Sequence, residues 1–429
     1  MNQIGVMLGE IEAKKYDSML APLYGASEME LSLARGRYIH IGKTFSEVFP
    51  EAKELTFFSA PGRTEIGGNH TDHNHGCVLA GAVNLDIVAA ACKKDDMVIR
   101  FQSEGFSEMD VVDISDLSIQ ENEKETSASL IRGVCYRMRE LGYQIGGFDA
   151  YSASQVLKGS GLSSSAAFEV MVVTILNHLY NDGVIDGVMM AQIAQYAENV
   201  YFGKPSGLMD QTASAVGGFV AIDFNDPKQP VLEKIEFDLT GKGYALCIVD
   251  TGGSHFDLTS DYAAVPVEMK SVARLLSHDV LRECSFEEFL SRIPELREKV
   301  SDRAILRAFH FFCENERAIE QKKALIAGDF EAFKKLVLES GASSYQYLQN
   351  VFSVSNVGEQ GVSLALAVSE NILKGKGAWR VHGGGFAGTI QAFVPFDLLD
   401  KYQQTIEALF GANHCYVLSI RAAGGIKVF

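Results

Sequence analysis

The chain has 429 residues, more than one hydrophobic core usually organises, and 47% of them are hydrophobic, enough to fill the interiors of two packed domains. Its 38 lysines and arginines face 55 acidic residues, and the resulting net charge of -17 repels nucleic acid and anionic membrane. An anionic ligand must therefore be held by local donors, with backbone amides the natural candidates. Charged residues make up 22% and are spread along the chain without a low-complexity tract, which argues against extensive disorder. The cysteines, 7 in number and without a CxxC pair, read as reduced, mostly buried thiols. The opening MNQIGVMLGEIEAKKYDSML carries acidic residues where a signal peptide needs a basic and then an apolar run, and no stretch of about 18 apolar residues occurs, so a cytoplasmic protein is expected.

Residues 1–50 mix apolar and charged positions at helical spacing, interrupted at Pro22 and Gly25, and form a helical prelude. From Leu55 the chain turns β-like through LTFFSAPGR, and CVLAGAVNLDIVAAAC has the length and apolarity of a buried strand, followed by the shorter VIRFQS and MDVVDI. SASLIRGVCYRMRELG places Leu130, Val134, Met138 and Leu141 on one helical face, with Gly142 as its stop. AAFEVMVVTILNHLYND is apolar nearly all round, as a buried helix is, and AQIAQYAENVYFG continues as another helix into the turn GKPSGLMDQ. Strand-like GFVAIDF and ALCIVDT bracket a polar stretch with Pro227 and Pro230, and a domain boundary is expected near 235. Long amphipathic helices then run from Val265 to Leu348, with strand-like AWRVHGGGFAGTIQAFV and HCYVLSIRA near the end. This order fits two α+β domains, 1–235 and 236–429, with a cleft between them.

Four segments carry chemistry. Gly159, Ser160, Gly161, Leu162, Ser163, Ser164 and Ser165 form a small-residue loop opening a long apolar helix, which gathers exposed amides at the positive helix end and so predicts anion binding. A Ser-rich helix cap is the plain alternative. No GxxxxGK[ST] occurs, and the GxGxxG match at Gly383, Gly385 and Gly388 runs from strand into strand, so it fails as a dinucleotide fingerprint. Gly383, Gly384 and Gly385 read instead as a tight turn, with or without a ligand. APGRTEIGGNHTDHNHG (60–76) packs Arg63, Glu65, Asn69, His70, Asp72, His73, Asn74 and His75 between two strands, a polar density suited to a hydroxyl-rich ligand. Its histidines also allow a metal centre, although their spacing matches no zinc signature, and a merely solvated loop is the third possibility. GKPSGLMDQTASAVGG (203–218) sets Asp210 in a turn, either as a helix cap or as a base and orienter for a substrate hydroxyl, which Arg63 would keep ionised if adjacent.

Taken in order, these segments resemble the galactokinase family, in the superfamily that also holds homoserine, mevalonate and phosphomevalonate kinases. The family signature GRxNxIGEHTDYN appears as Gly62 to Asn74, the phosphate loop GLSSSAA as Gly161 to Ala167, and GLMDQ (207–211) and GGGFAGT (383–389) complete the set. The resemblance implies an N-terminal mixed α/β domain, a C-terminal domain of antiparallel sheet and helices, and an active site between them that transfers phosphoryl from ATP, with Mg2+, to the C1 hydroxyl of a sugar. It implies Asp210 as base and Arg63 as its partner, Ser165 and Glu198 at magnesium, and Asn69, His70, Asp72, the Gly207 backbone and Tyr262 at the sugar. No nucleic acid or membrane partner is expected, and the protein is expected as a monomer or weak homo-oligomer. Asn69 stands where the family has Glu near the sugar's O6, Glu65 replaces Asn, and His73 replaces Tyr. A galacturonate kinase is therefore a competitor to a galactokinase, because loss of a carboxylate near C6 relieves repulsion against a uronic acid. A non-catalytic sugar sensor and a metal-dependent hydrolase are rivals from other classes.

Overall fold

A computed structural model describes residues 3–156, 162–204, 206–252 and 258–429, so the loop residues Gly159, Ser160 and Gly161 lie outside the described residues. Strands β1 (Thr56–Gly67), β2 (Cys77–Lys93), β3 (Val98–Ser103), β4 (Asp110–Asp113), β5 (Phe148–Ser154), β6 (Phe219–Asp223) and β7 (Val231–Ile235) build one sheet. Strands β8 (Tyr244–Asp250), β9 (Ala378–Val381), β10 (Thr389–Pro395) and β11 (Cys415–Leu418) build a second, and β12 (Ile426–Lys427) returns to the first beside β1. The first sheet runs β12-β1-β2-β5-β3-β4, with β6 and β7 continuing from the other end of β2. Among the described residues only β3 and β5 pair in parallel within it, whereas the second sheet, β11-β8-β10-β9, is antiparallel.

The apolar run that predicts β2 is continuous because both faces of that strand are covered. Alternate residues divide between two cores. Phe58, Ala89 and Ala91 face the helices Ser127–Glu140 and Ser164–Tyr180, whereas Phe57, Val88, Ala90 and Cys92 face Ile4, Ile11, Leu20, Leu23, Tyr38, Ile41 and Phe45 of the N-terminal helices. The prelude Gln3–Glu12, Asp17–Tyr24 and Glu28–Val48 is thus the cover of the outer sheet face. Its second helix continues through Pro22 and ends at Gly25, before the third begins.

The cover is pinned at one buried carboxylate. Asp86 of β2 receives Arg37 and Tyr24 from the prelude, Ser59 from β1 and Arg421 from the C-terminal segment. The last residue closes the same seam: Phe57 N donates to Phe429 O at 2.9 Å, and the Phe429 ring stacks on Tyr16 at 4.3 Å. The larger core extends past the first sheet to Leu246, Ile248 and Phe393 of the second through Phe330, Phe333 and Val337 of helix Phe330–Ser343. The two sheets therefore pack through one continuous interior. All 7 cysteines are free thiols, and only Cys313 is partly exposed.

The polar stretch after β6 contains a strand that periodicity alone does not flag, because β7 is an edge strand whose Val231 is 70% exposed. Because Asp86 neutralises the buried Arg421 and the part-buried Arg37, Asp86→Ala leaves both without their counter-charge and is expected to cost about 3–5 kcal/mol. Urea unfolding followed by circular dichroism reads this, and a loss under about 1 kcal/mol would show that the cluster does not anchor the cover.

Candidate active site

Strand β1 bulges where the chemistry begins: its register with β2 shifts between Pro61 and Arg63. A Cβ at Gly62 would lie 3.0 Å from the Leu162 carbonyl, so the glycine lets the strand approach the Ser-rich loop closely. Arg63 N then donates to that carbonyl at 3.0 Å. The bulge re-aims the next side chain. The Arg63 guanidinium donates to both oxygens of Asp210, Nε to Oδ1 at 2.7 Å and Nη2 to Oδ2 at 2.8 Å, and Ser163 Oγ donates to Oδ2 at 2.6 Å. Burial pushes the Asp210 carboxyl upward, but the charge and hydrogen bonds of Arg63, with Ser163, outweigh it and hold the group below its ordinary value.

Both capping alternatives are decided by this geometry. Ser163 occupies the N-cap of helix Ser164–Tyr180 at φ 58°, yet its side chain makes no cap hydrogen bond and serves Asp210 instead. Asp210 lies in the first turn of helix Met209–Val216, whose N-cap is Leu208. Leu162 is fully buried and contributes to the core, so that part of the loop is anchored from below.

A second carboxylate stands beside the first. Helix Gly187–Tyr196 runs on into a π-turn, Ala197–Phe202, which carries Glu198 inward. Glu198 Oε1 accepts from Ser165 Oγ at 3.2 Å and from Lys204 Nζ at 2.8 Å, and its Oε2 accepts from Gln211 Nε2 at 2.7 Å. The same Gln211 amide donates to Glu169 at 3.0 Å. Burial, and next the charge of Glu198, push the Glu169 carboxyl well above the ordinary range. Burial lowers the Lys204 ammonium, but its hydrogen bond and charge contact with Glu198 prevail and raise it. A hydroxyl and a carboxylate at one point are the oxygen donors that Mg2+ takes when nucleotide phosphates supply the rest of its coordination. Among the described residues no three His, Cys, Asp or Glu side chains converge as a metal-ligand set.

The glycine turn between β9 and β10 organises the remaining residues. Asn69 Nδ2 donates to Gly383 O at 2.7 Å, His70 Nε2 to Gly384 O at 2.9 Å, and Tyr262 Oη to Gly385 O at 2.9 Å. Gly383 and Gly385 have φ 67° and 80°, and a Cβ at Gly384 would lie 2.4 Å from the Tyr262 ring. The turn is thus a clamp between the 69–72 loop and the second half of the chain. Burial lowers His70 to about 4 despite the Gly384 bond, and with Nε2 donating, Nδ1 carries the lone pair. Asp72 is part-exposed, and a Cβ at Gly207 would lie 3.3 Å from its Oδ2, so these two predicted positions adjoin.

Asn69, expected at the sugar near C6, is held inside a hydrogen-bonded corner. It is fully buried, its amide hydrogens go to Glu65 Oε1 at 2.9 Å and Gly383 O, and its oxygen accepts from Asn350 Nδ2 at 2.9 Å. Glu65 in turn pairs with buried Arg380, whose Nη2 lies 2.6 Å from Oε1. Residues that motif inspection missed are Arg380 and Asn350, which hold this corner, and Lys204, Glu169 and Gln211, which hold Glu198. Glu169 follows Ser165 by four residues on one helical face, a spacing that places both side chains on the same side of the phosphate loop.

Residues 129–218 match the model of the GHMP kinases N terminal domain, and residues 43–93 match the galactokinase galactose-binding signature. The chain is 32% identical over 375 residues to a galactokinase of Streptomyces coelicolor, covering 87% of this chain and 92% of that one. It is 30% identical to a galactokinase of Streptococcus mutans, over 90% of this chain and 98% of that one. Lactococcus lactis galactokinase, solved with galactose, superposes with a TM-score of 0.74 at 25% identity over 90% of this chain and 98% of that one. Methanococcus jannaschii mevalonate kinase shares the fold at a TM-score of 0.62 and 13% identity, over 86% of this chain and 98% of that one. Motifs, fold and relatives agree, and the chain belongs to the galactokinase family of the GHMP kinases.

Proposed function

We propose that the protein transfers the γ-phosphoryl group of ATP to the anomeric hydroxyl of galactose, giving galactose 1-phosphate and ADP. The observation that carries this is the carboxylate of Asp210, half-buried and held ionised by two parallel hydrogen bonds from Arg63 and a third from Ser163. Asp210 accepts the hydrogen of the sugar's O1 and aims that oxygen at the phosphorus. As the O1–P bond forms, the bond from the γ-phosphorus to the bridging oxygen breaks, its electron pair leaves with ADP, and the O1 proton passes to Asp210. Arg63 keeps the base charged and faces the negative charge that spreads over the moving phosphoryl group.

Amides of the loop 159–165 hold the phosphates, with Ser164 at the helix start beside them. Ser165 and Glu198 hold the metal, and bound Mg2+ would supply charge neutralisation across the phosphates. On the sugar side, His70 presents the lone pair of Nδ1, Asp72 and the Gly207 backbone receive ring hydroxyls, and Tyr262 closes the wall. Asn69 supports His70 from behind. The active site lies between the halves 1–235 and 236–429, and the enzyme works as a monomer or weak homo-oligomer.

A neutral C6 hydroxyl fits this corner better than a uronate. The Arg380 guanidinium, which shares Glu65 with Asn69, is committed to Glu65, Ile66 O and Val381 O, leaving a C6 carboxylate to be desolvated without it. With ATP and Mg2+, kcat/KM for galactose is expected to exceed that for galacturonate by about 100-fold or more, and equal values in a coupled ADP assay would reverse the assignment.

Asp210→Asn keeps the shape and removes the base, so kcat is expected to fall by about 100-fold to 10,000-fold, with galactose affinity by calorimetry changed little. Retained turnover would remove Asp210 from its role. Because its folded value lies below the ordinary one, Asp210 is ionised throughout neutral pH, and it loses its charge only as pH falls through that depressed value. Arg63→Leu removes the largest opposing influence and leaves burial to dominate. The acid limb of residual kcat/KM should then move to higher pH, and an unmoved limb would show that Arg63 does not set the ionisation of the base.

A further inference from the structure

Lys204 has no part in the mechanism above, yet its ammonium lies inside the site. Its Nζ donates to Glu198 Oε1, the oxygen that also accepts from Ser165 Oγ. The side chain of Lys204 is 59% exposed while that of Glu198 is 3% exposed, so a mobile stem from the surface delivers a charge to a fixed, buried acceptor. Gly203, at φ 88°, ends the π-turn immediately before it and frees the lysine from helical constraint.

A divalent cation binding Ser165 and Glu198 needs the oxygen that the ammonium already occupies. Two cations at one carboxylate oxygen repel, and the donor capacity of that oxygen is spent on Lys204 and Ser165. The ammonium, once released, faces the nucleotide phosphates, which stay net negative even with a bound divalent metal. In a chain of net charge -17, a local cation is what such a ligand requires.

We propose that Lys204 is an exchangeable counter-ion: it neutralises Glu198 before metal and nucleotide arrive, is displaced from that carboxylate by the metal, and then moves its ammonium onto the nucleotide phosphates. The proposal rests on the assignment of Ser165 and Glu198 as the protein's metal ligands. It makes opposite demands on two measurements. Removing the competitor tightens metal binding in the absence of nucleotide, whereas removing the phosphate contact weakens nucleotide use.

The test is electron paramagnetic resonance titration with Mn2+ of the full-length wild type, Lys204→Met and Glu198→Gln, each with and without a non-hydrolysable ATP analogue, after thermal melts confirm folding. Lys204→Met is expected to bind Mn2+ about threefold to tenfold more tightly without nucleotide, while the KM for ATP rises by a similar factor. Mn2+ binding that is unchanged or weaker in Lys204→Met overturns the exchange. If Glu198→Gln leaves Mn2+ binding with the analogue untouched, the metal-ligand assignment fails and the proposal falls with it. If Glu198→Gln weakens Mn2+ but Lys204→Met does not alter it, the assignment stands and only the exchange is lost.

Discussion

The paired hydrogen bonds between Arg63 and Asp210 join two elements distant in sequence, strand β1 and helix Met209–Val216, and most of the site is arranged around them. A base for a sugar hydroxyl must be buried enough to exclude water and yet remain charged. Burial alone works against the second requirement, so a fixed cation is needed at bonding distance. Arg63 meets this because a bulge in β1 turns it from the strand's regular alternation, and Gly62 permits the close approach that ties the same segment to Leu162. The bulge, the glycine and the loop serve one geometric end.

Much of this was legible in the sequence, for a physical reason. The Ser-rich helix start and the acidic turn residue, proposed to hold phosphate and to act as base, are local features built from small residues and one carboxylate, so their signatures are short and contiguous. Strand β2 and helix Ser164–Tyr180 were equally plain, because elements covered on all sides must be apolar throughout. What escaped was set by contacts between distant segments. The function of the first 48 residues as a sheet cover depends on Asp86 meeting Arg37 and Arg421, the latter 335 positions away. The π-turn that presents Glu198 has no compositional mark, and β12, of 2 residues, gains its identity only by pairing with β1.

The substitutions at 65 and 69 show why a motif difference is better judged in three dimensions. Counted along the signature, a carboxylate is missing at 69 and an unexpected one stands at 65. In space the two side chains are hydrogen-bonded neighbours, and the charge at 65 is neutralised by Arg380. The corner holds an ion pair beneath an amide, and the amide's donors are spent on the glycine turn and on Glu65. Its effect on a sugar is therefore exerted through the position of His70 and the turn it binds. Three successive carbonyls of that turn accept from the side chains of Asn69, His70 and Tyr262, so a shift of the second half of the chain would be felt at Asn69 and His70 together.

Charge balance ties the sugar side to the phosphate side. Asp210 and Glu198 are matched by Arg63 and Lys204, each within 2.8 Å, while burial and the neighbouring Glu198 charge push the Glu169 carboxyl upward, toward its neutral form. The two pairs differ in how they are held. Arg63 is gripped by two parallel bonds with its side chain 12% exposed, whereas Lys204 makes one bond from a side chain that is 59% exposed. A planar, doubly bonded guanidinium suits a base that must be charged when its substrate hydroxyl arrives, and a singly bonded ammonium on a flexible stem suits a carboxylate proposed to serve a metal later. The firmly held cation thus stands at the proposed base and the loosely held one at the proposed metal ligand.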